Sequence, residues 1–397
     1  MYTANVSADR LSAEMSGTRG DLLRLVLKTT ALTVGTLGLY SFWARTRIRR
    51  WLWSSLRVGG MPFEYAGRPL EKLMGFAIAA VIVAIYLGLV VMLLVFASLN
   101  LFGEVWQGTA AAFAFVVPVY WFAKYRGQRY LLNHTRWRGV AFSMEPGAWG
   151  YVACAAWWSL LTILTAGLLL PVRTQRMWRY RTRRTFYGDG RFALATSAAR
   201  LYRSFLPVLI CLWGIAACAV WASLDGGILP GLAIALLGGG LVPVWTYWRV
   251  SSFRLLVSGL RHAEGVGVTV VPRTATVIGI HLYGWLLMGL LLILAGIAVA
   301  FAFGFAAAGM QSGIDFDLFA DTSPYLIAFG AVLFYLTFFV LRGALKIAMV
   351  TFPLFRHVAA TLSVSNSLRI HYIAQGEPAH MADADGFANL FDLGSGI

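Results

Sequence analysis

The longest uncharged run in this chain covers residues 275–308, which hold no Asp, Glu, Lys or Arg and one histidine, His281. A run of that length has no place in a soluble domain. About 20 apolar residues already cross a hydrocarbon core about 30 Å thick. Comparable runs occupy residues 74–97, 105–123, 205–224, 228–248 and 325–341. Composition agrees, with 59% hydrophobic and 13% charged residues, where soluble domains carry about a quarter charged. No stretch alternates over about 10 residues as a transmembrane β-strand does. The expected fold is therefore an all-α polytopic integral membrane protein of six to eight transmembrane helices.

Two further apolar segments are too short or too interrupted to be ordinary spans. In the first, residues 22–43, Arg24 and Lys28 leave only 29–44 uncharged, about 24 Å of helix. The second, 147–172, ends LTAGLLLPV where the first has LTVGTLGLYSFW. Both are read as re-entrant, since interrupted backbone survives at membrane depth only inside protein. Gly35, Gly38 and Gly167 are the candidate turns.

Arginine- and aromatic-rich arms follow the apolar segments. The first spans residues 43–63. At a constant shift of 79 it matches a second at Ala44, Arg47, Arg50, Leu52, Arg57, Gly60 and Phe63. A shift of 129 carries Gly38, Arg47, Arg50 and Phe63 onto Gly167, Arg176, Arg179 and Phe192. A shift of 125 carries Lys124, Arg129 and Arg136 onto Arg249, Arg254 and Arg261. On a helix, Ala44, Ile48, Trp51, Leu52 and Leu56 share one face and Arg47, Arg49, Arg50 and Arg57 the other. The arms are thus expected to be amphipathic basic helices in the headgroup plane. Arg47, Arg50, Arg57, Arg126, Arg129, Arg136, Arg176, Arg179, Arg254 and Arg261 are the candidate contacts to anionic headgroups.

The matches define a tandem internal repeat. Residues 1–20 form a polar tail, 21–146 and 147–272 two membrane repeats, 273–355 a C-terminal helix pair and 356–397 a cytoplasmic tail. The polar start has no apolar h-region, so insertion is expected to be directed by the first spanning helix. Charge orients the chain. Segments 41–73, 123–150, 171–203 and 249–275 hold seven, five, nine and four Lys and Arg, whereas the loops after Ala97, Leu224 and Ala308 hold none. If the two short segments re-enter, every basic loop is cytoplasmic, as the positive-inside rule requires, and the repeats are parallel.

The stretch LTVGTLGLYSFWARTRIRRWLWSSLRVGGMPFEYAGRPLEKLMG, the NHTR at 133–136, FYGDGRF at 186–192 and the tail GFANLFDLGSGI resemble the YjgN-like family of bacterial inner-membrane proteins. The chain departs from it at Phe42, where that family often has proline. The resemblance implies a bacterial inner membrane and supplies no reaction, because the family is a domain of unknown function.

No catalytic set stands out. No carboxylate falls within a spanning run, and HExxH, GxSxG and P-loop motifs are missing from the sequence. Cys154, Cys211 and Cys218 lie in apolar segments without metal or disulfide spacing, so neither cofactor nor metal is expected. The net charge of +16 reflects topology rather than nucleic-acid binding. His281, Arg342 and Lys346 read as packing or snorkelling residues, and Gly238–Gly240 as a site of close helix packing. The favoured reading is a transporter or permease-like protein of unknown substrate. The alternative is a non-transporting scaffold that binds anionic lipid headgroups through its arms; an enzyme is not expected.

Overall fold

The computed structural model describes residues 10–311 and 324–376; the aspartates at 315, 317 and 321 and the tail beyond 376 lie outside them. Each arm begins as a helix and ends as a strand. In the first, Ala44, Ile48 and Leu52 are buried along α2 (Ser41–Ser55), but the helix stops before Leu56 and Arg57. The chain continues as β2 (Leu56–Val58) and β3 (Met61–Tyr65), joined by Gly59 and Gly60 at φ 58° and 79°. Two successive positive φ values make the tight turn that suits a two-residue hairpin.

The same order recurs along the chain. α4 (Trp106–Asn133) runs into β4 (Thr135–Trp137) and β5 (Val140–Met144). α6 (Leu170–Thr182) runs into β6 (Thr185–Tyr187) and β7 (Gly190–Leu194). α8 (Ile228–Ser258) runs into β8 (Leu260–His262) and β9 (Gly267–Val270). Helices dominate the described chain, as expected of a helical membrane protein, but the expectation of continuously helical arms is corrected, since each arm ends in a short hairpin. Three-residue strands are too short to show the alternation by which a strand is recognised in sequence.

The hairpins pair with one another and with β1 (Arg10–Met15) and β10 (Leu362–Ser365) in the closed order β1-β10-β9-β8-β7-β6-β5-β4-β3-β2. All pairings are antiparallel, with Phe63 opposite Trp137, Phe142 opposite Tyr187 and Phe192 opposite His262. These side chains point inward with Val58, Val140 and Val364 as one apolar cluster. Its aromatic rings touch in succession, Phe63–Trp137 at 5.8 Å and Phe142–Tyr187 at 4.6 Å between centroids. Strands of three to six residues fall well short of the 9–11 that a membrane-crossing strand needs, so this is a compact ring beside the helices. Ile370 and Ile373, in and after a 3₁₀ turn at Ser367–Tyr372, join the same interior cluster. Asp189 N donates to Ala374 O at 3.1 Å and fixes this last segment across the ring. The stretches read as polar tails thus supply two strands and a plug.

Between strands the chain makes pairs of helices. α1 (Arg19–Gly35) and α2 lie between β1 and β2; α3 (Pro69–Phe102) and α4 between β3 and β4; α5 (Ala148–Leu164) and α6 between β5 and β6. α7 (Ala199–Asp225) and α8 lie between β7 and β8. α9 (Thr274–Gln311) and α10 (Pro324–Lys346), followed by a π turn at Ile347–Thr351 and α11 (Phe352–Ala360), lie between β9 and β10. Every pair therefore leaves the ring and returns to it. Among the described residues five helices are long and apolar enough to cross a membrane: Pro69–Phe102, Ala199–Leu224, Ile228–Ser258, Thr274–Leu294 and Tyr335–Ala360. α4, expected as a span over 105–123, is not among these five, while Ala148–Leu164 is a shorter apolar helix.

Both short segments break into a turn at a glycine. Gly38 N donates to Thr33 O at 2.8 Å and Ser41 N to Gly38 O at 3.0 Å; Gly167 N donates to Thr162 O at 2.8 Å and Leu170 N to Gly167 O at 3.1 Å. Gly38 and Gly167 have φ 95° and 88°. Gly35 is different: it is the last residue of α1 and not part of the left-handed turn. Gly238, Gly239 and Gly240 correct another expectation, because a Cβ at each would meet nothing within 4 Å; they face open space on α8, not a close-packed helix.

A Cβ would also meet nothing at Gly38 or Gly167, so the cost of substitution there comes from backbone angle alone. An L-residue in left-handed geometry costs about 1–2 kcal/mol. Gly38→Ala and Gly167→Ala are each expected to lower thermal stability in detergent by that amount, with Leu scarcely worse than Ala. Wild-type melting of both Ala variants would show that neither turn needs positive φ.

Candidate functional site

Where helices meet the ring, polar side chains concentrate in two buried clusters and one exposed belt. The first cluster forms at the base of α3. Lys72 is 1% exposed; its ammonium sits 4.9 Å from the Tyr65 ring centre and 5.4 Å from that of Tyr130, and donates to Thr46 Oγ1 at 3.5 Å. A desolvated ammonium over aromatic faces gains cation–π attraction in place of lost hydration. Trp53 Nε1 donates to Thr135 Oγ1 at 3.1 Å, tying α2 to β4.

His134, which caps α4, completes this cluster. It is 5% exposed, its Nδ1 lies 2.8 Å from Tyr130 O and its Nε2 lies 3.8 Å from a Glu71 carboxylate oxygen. Burial lowers its pKa, opposed by the Tyr130 carbonyl and Glu71 and aided by Lys72 and Arg136. The imidazole is accordingly neutral near pH 7, with its proton on Nδ1, and its approach to Glu71 is a polar contact rather than an ion pair.

The second cluster is aromatic and basic, between α4, α5 and α6. Tyr125 and Tyr151 are fully buried against Met144 and Tyr180. Tyr125 OH donates to Glu145 O at 2.8 Å and Tyr180 OH to Gly147 O at 2.8 Å. Arg181 donates through Nη1 to Gln128 Oε1 at 2.8 Å and stacks its guanidinium 5.3 Å from the Trp178 ring centre. In the ring itself, Tyr187 OH donates to Trp137 O at 3.0 Å, and burial pushes this phenol up to about 12.

The ten candidate arginines divide by environment. Arg50 Nη2 donates to Gly67 O at 3.0 Å and Arg129 Nε to Met144 O at 3.1 Å, so Arg129 ties its helix to β5 and Arg50 ties its helix to the loop that follows β3. Arg57, Arg136 and Arg261 sit in β2, β4 and β8, opposite Glu14, Glu64 and Ala193. They belong to the ring wall and not to a helix face. Arg47, Arg176 and Arg254 are exposed on α2, α6 and α8, while Arg126 and Arg179 are half-buried. Arg176 and Arg126 lie over the rings of Trp158 and Phe122, at 5.4 Å and 5.7 Å. Sequence reasoning missed Lys72, Tyr151 and Arg181. Lys124 and Arg249 were visible as matched positions, but nothing marked them as neighbours.

Among the described residues no group of three or more His, Cys, Asp or Glu is placed to hold a metal. His281 Nδ1 lies 2.8 Å from Val277 O, a packing role within α9.

Length and apolarity of the helices define a helical membrane protein, built here on a ring of short strands. Over residues 10–270 the chain matches the family described as "Bacterial protein of unknown function (DUF898)", and it belongs to that family. The matched region runs from β1 through β9, and the YjgN-like resemblance agrees with it. Neither the curated proteins nor the solved structures contain a match.

The His134 site predicts an acid sensitivity. Below its ordinary value of about 6.5, the unfolded chain takes up a proton that the folded imidazole, with its lowered pKa, refuses. The unfolded state then binds more protons, so stability falls as pH falls. Melting temperature measured in detergent from about pH 7.5 to about pH 5.5 should drop more steeply in wild type than in His134→Gln. Parallel slopes would remove His134 as a cause.

Proposed function

We propose that this protein is a non-enzymatic scaffold of the bacterial inner membrane that grips anionic lipid headgroups from the cytoplasmic side. The exposed Arg47, Arg176 and Arg254 carry this reading. They stand on three separate helices, between the apolar segments and the ring, at the level where lipid phosphate would lie. Each basic residue close to an anionic surface contributes about 1 kcal/mol.

The ring side is taken as cytoplasmic because basic loops collect there and the positive-inside rule retains them. Return of every helix pair to the ring fits parallel repeats with all arms on one side. Arg45 and Lys124 occupy matched positions, and Gly38 lies seven residues beyond Arg45, about 10 Å along a helix. The short pairs then dip into one leaflet without crossing it. Leu37 and Leu39, 60% and 62% exposed at the tip, would meet acyl chains.

A permease-like role has less to support it. The ring interior is filled by aromatic side chains and by Ile370 and Ile373, so the ring offers no pore. The spanning runs also lack the carboxylate that proton coupling usually employs.

Two measurements test these statements. Arg47, Arg176 and Arg254 changed together to Gln should sharply reduce the phosphatidylglycerol and cardiolipin that co-purify with the protein. Unchanged retention would reduce the exposed arginines to topology signals. Single cysteines at Ser54 and Ser197, in a background without Cys154, Cys211 and Cys218, should resist a membrane-impermeant thiol reagent in intact cells, while one at Glu104 should react. Labelling at Ser54 or Ser197 would overturn the one-sided arrangement.

A further inference from the structure

Among the described residues the helix pairs differ in how far they reach from the ring. The helices long and apolar enough to cross a membrane fall in three pairs, α3/α4, α7/α8 and α9/α10. α3 and α4 have 34 and 28 residues, α7 and α8 have 27 and 31. α1 and α5 have 17 each, and α2 and α6 only 15 and 13. At 1.5 Å per residue α1 and α5 are about 25 Å long and α3 about 51 Å, so two pairs reach about half as far as α3.

The tips of the short pairs are built for hydrocarbon. Every backbone N–H from residue 36 to 41 donates within the same hairpin, five to carbonyls and that of Tyr40 to Thr36 Oγ1 at 3.0 Å. The same holds from residue 165 to 170, with Leu169 N on Thr165 Oγ1 at 3.3 Å. A turn in water has no need of such closure, whereas in lipid no N–H can be left open. The side chains agree. Leu37 and Leu39 are exposed, as are Ile163 and Leu164, at 75% and 71%.

Charge limits how deep these tips go. Arg45 stands seven residues after Gly38 and Arg173 six after Gly167, about 10 Å and about 9 Å along a helix. Charged groups stay near the interface, so both tips stop within the nearer half of a core about 30 Å thick. The far end of α3/α4 is pinched instead. Gly108 N donates to Ser98 Oγ at 3.0 Å, and a Cβ at Gly108 would collide with Leu94 O, so the two helices meet backbone to backbone there.

Resting on the one-sided arrangement proposed above, we infer that the protein is a membrane wedge, broad in the cytoplasmic leaflet and narrow in the other, that favours bilayer convex toward the cytoplasm. α1, α2, α5 and α6 occupy the cytoplasmic leaflet alone, and at a helix diameter of about 10 Å they add about 300 Å² to it. The two short pairs flank α3/α4 in ring order, so the excess is spread around the molecule. Apolar insertion confined to one leaflet is sensitive to curvature, because the leaflet with excess area relaxes by becoming convex.

Full-length protein without Cys154, Cys211 and Cys218 is reconstituted in giant vesicles of phosphatidylcholine and phosphatidylglycerol with a fluorescent lipid, and narrow tubes are drawn from them. An impermeant dye on Ser54→Cys marks molecules whose ring faces out; on Glu104→Cys it marks those whose ring faces in. The tube is convex outward, so the ring-out label should be enriched several-fold over lipid, more as the tube narrows, and the ring-in label depleted. Equal partition with lipid, the same sign for both labels, or reversed signs would overturn the wedge. Leu37→Ser/Leu39→Ser/Ile163→Ser/Leu164→Ser makes both tips polar and leaves the glycine turns in place. It should bring both ratios toward one; unchanged sorting would overturn the short pairs as its cause. The one-sided arrangement is checked before any tube is drawn. Ser54→Cys and Ser197→Cys must label from outside in equal proportion and Glu104→Cys in the complementary one. Failure there overturns the topology on which the wedge stands, whereas absent sorting with correct labelling overturns the wedge alone.

Discussion

A short strand has two edges, and each edge carries N–H and C=O groups that must find partners. Four hairpins of three- to five-residue strands cannot meet that demand singly, since an isolated hairpin is at best marginally stable in water. Here the hairpins satisfy one another around a closed ring, with β1 and β10 filling the last gap between β2 and β9. Closure leaves no edge. It also dictates the rest of the molecule, because a helix pair inserted between neighbouring strands has to start and finish at the same level. Backbone hydrogen bonding thus brings both ends of each described helix pair back to the ring.

The interior of the ring adds the side-chain half of this argument. Phe63, Trp137, Phe142, Tyr187 and Phe192 fill it, and His262, 4% exposed, stands among them with its Nε2 3.1 Å from Tyr187 O. Large rings give much buried area from few residues, which suits strands this short. Arg129 and Arg50 extend the order outward from the preceding helices by holding the last carbonyl of β5 and a carbonyl in the loop after β3. Part of the arginine content is therefore structural, while Arg47, Arg176 and Arg254 stay exposed.

Much of this was legible in the sequence and some was not. The apolar runs announced helices by length alone, and Gly38 and Gly167 were candidate turns because left-handed geometry favours glycine. The arms were visible as repeated text, but their second halves were misread. Gly59–Gly60 makes a hairpin turn and Pro62 lies within β3, which ends the helix before Leu56. Pairing of Phe63 with Trp137 or Leu11 with Val364 is a long-range fact that no local pattern encodes. Lys72 was counted with the topology charges, since burial among Tyr65, Tyr130 and Thr46 comes only with the fold.

Arg10 pairs with Ser365, and this bond between distant parts of the chain has a consequence for synthesis. The strands of hairpin after hairpin emerge from the ribosome long before β10 exists. Until then β1 and β9 lack the strand that joins them, and the aromatic interior is exposed to water. Such high contact order slows folding and leaves incomplete chains prone to pair with the wrong edge. Insertion of the helices can proceed one pair at a time, whereas the ring matures in a single late step that brings both extremities of the described chain together.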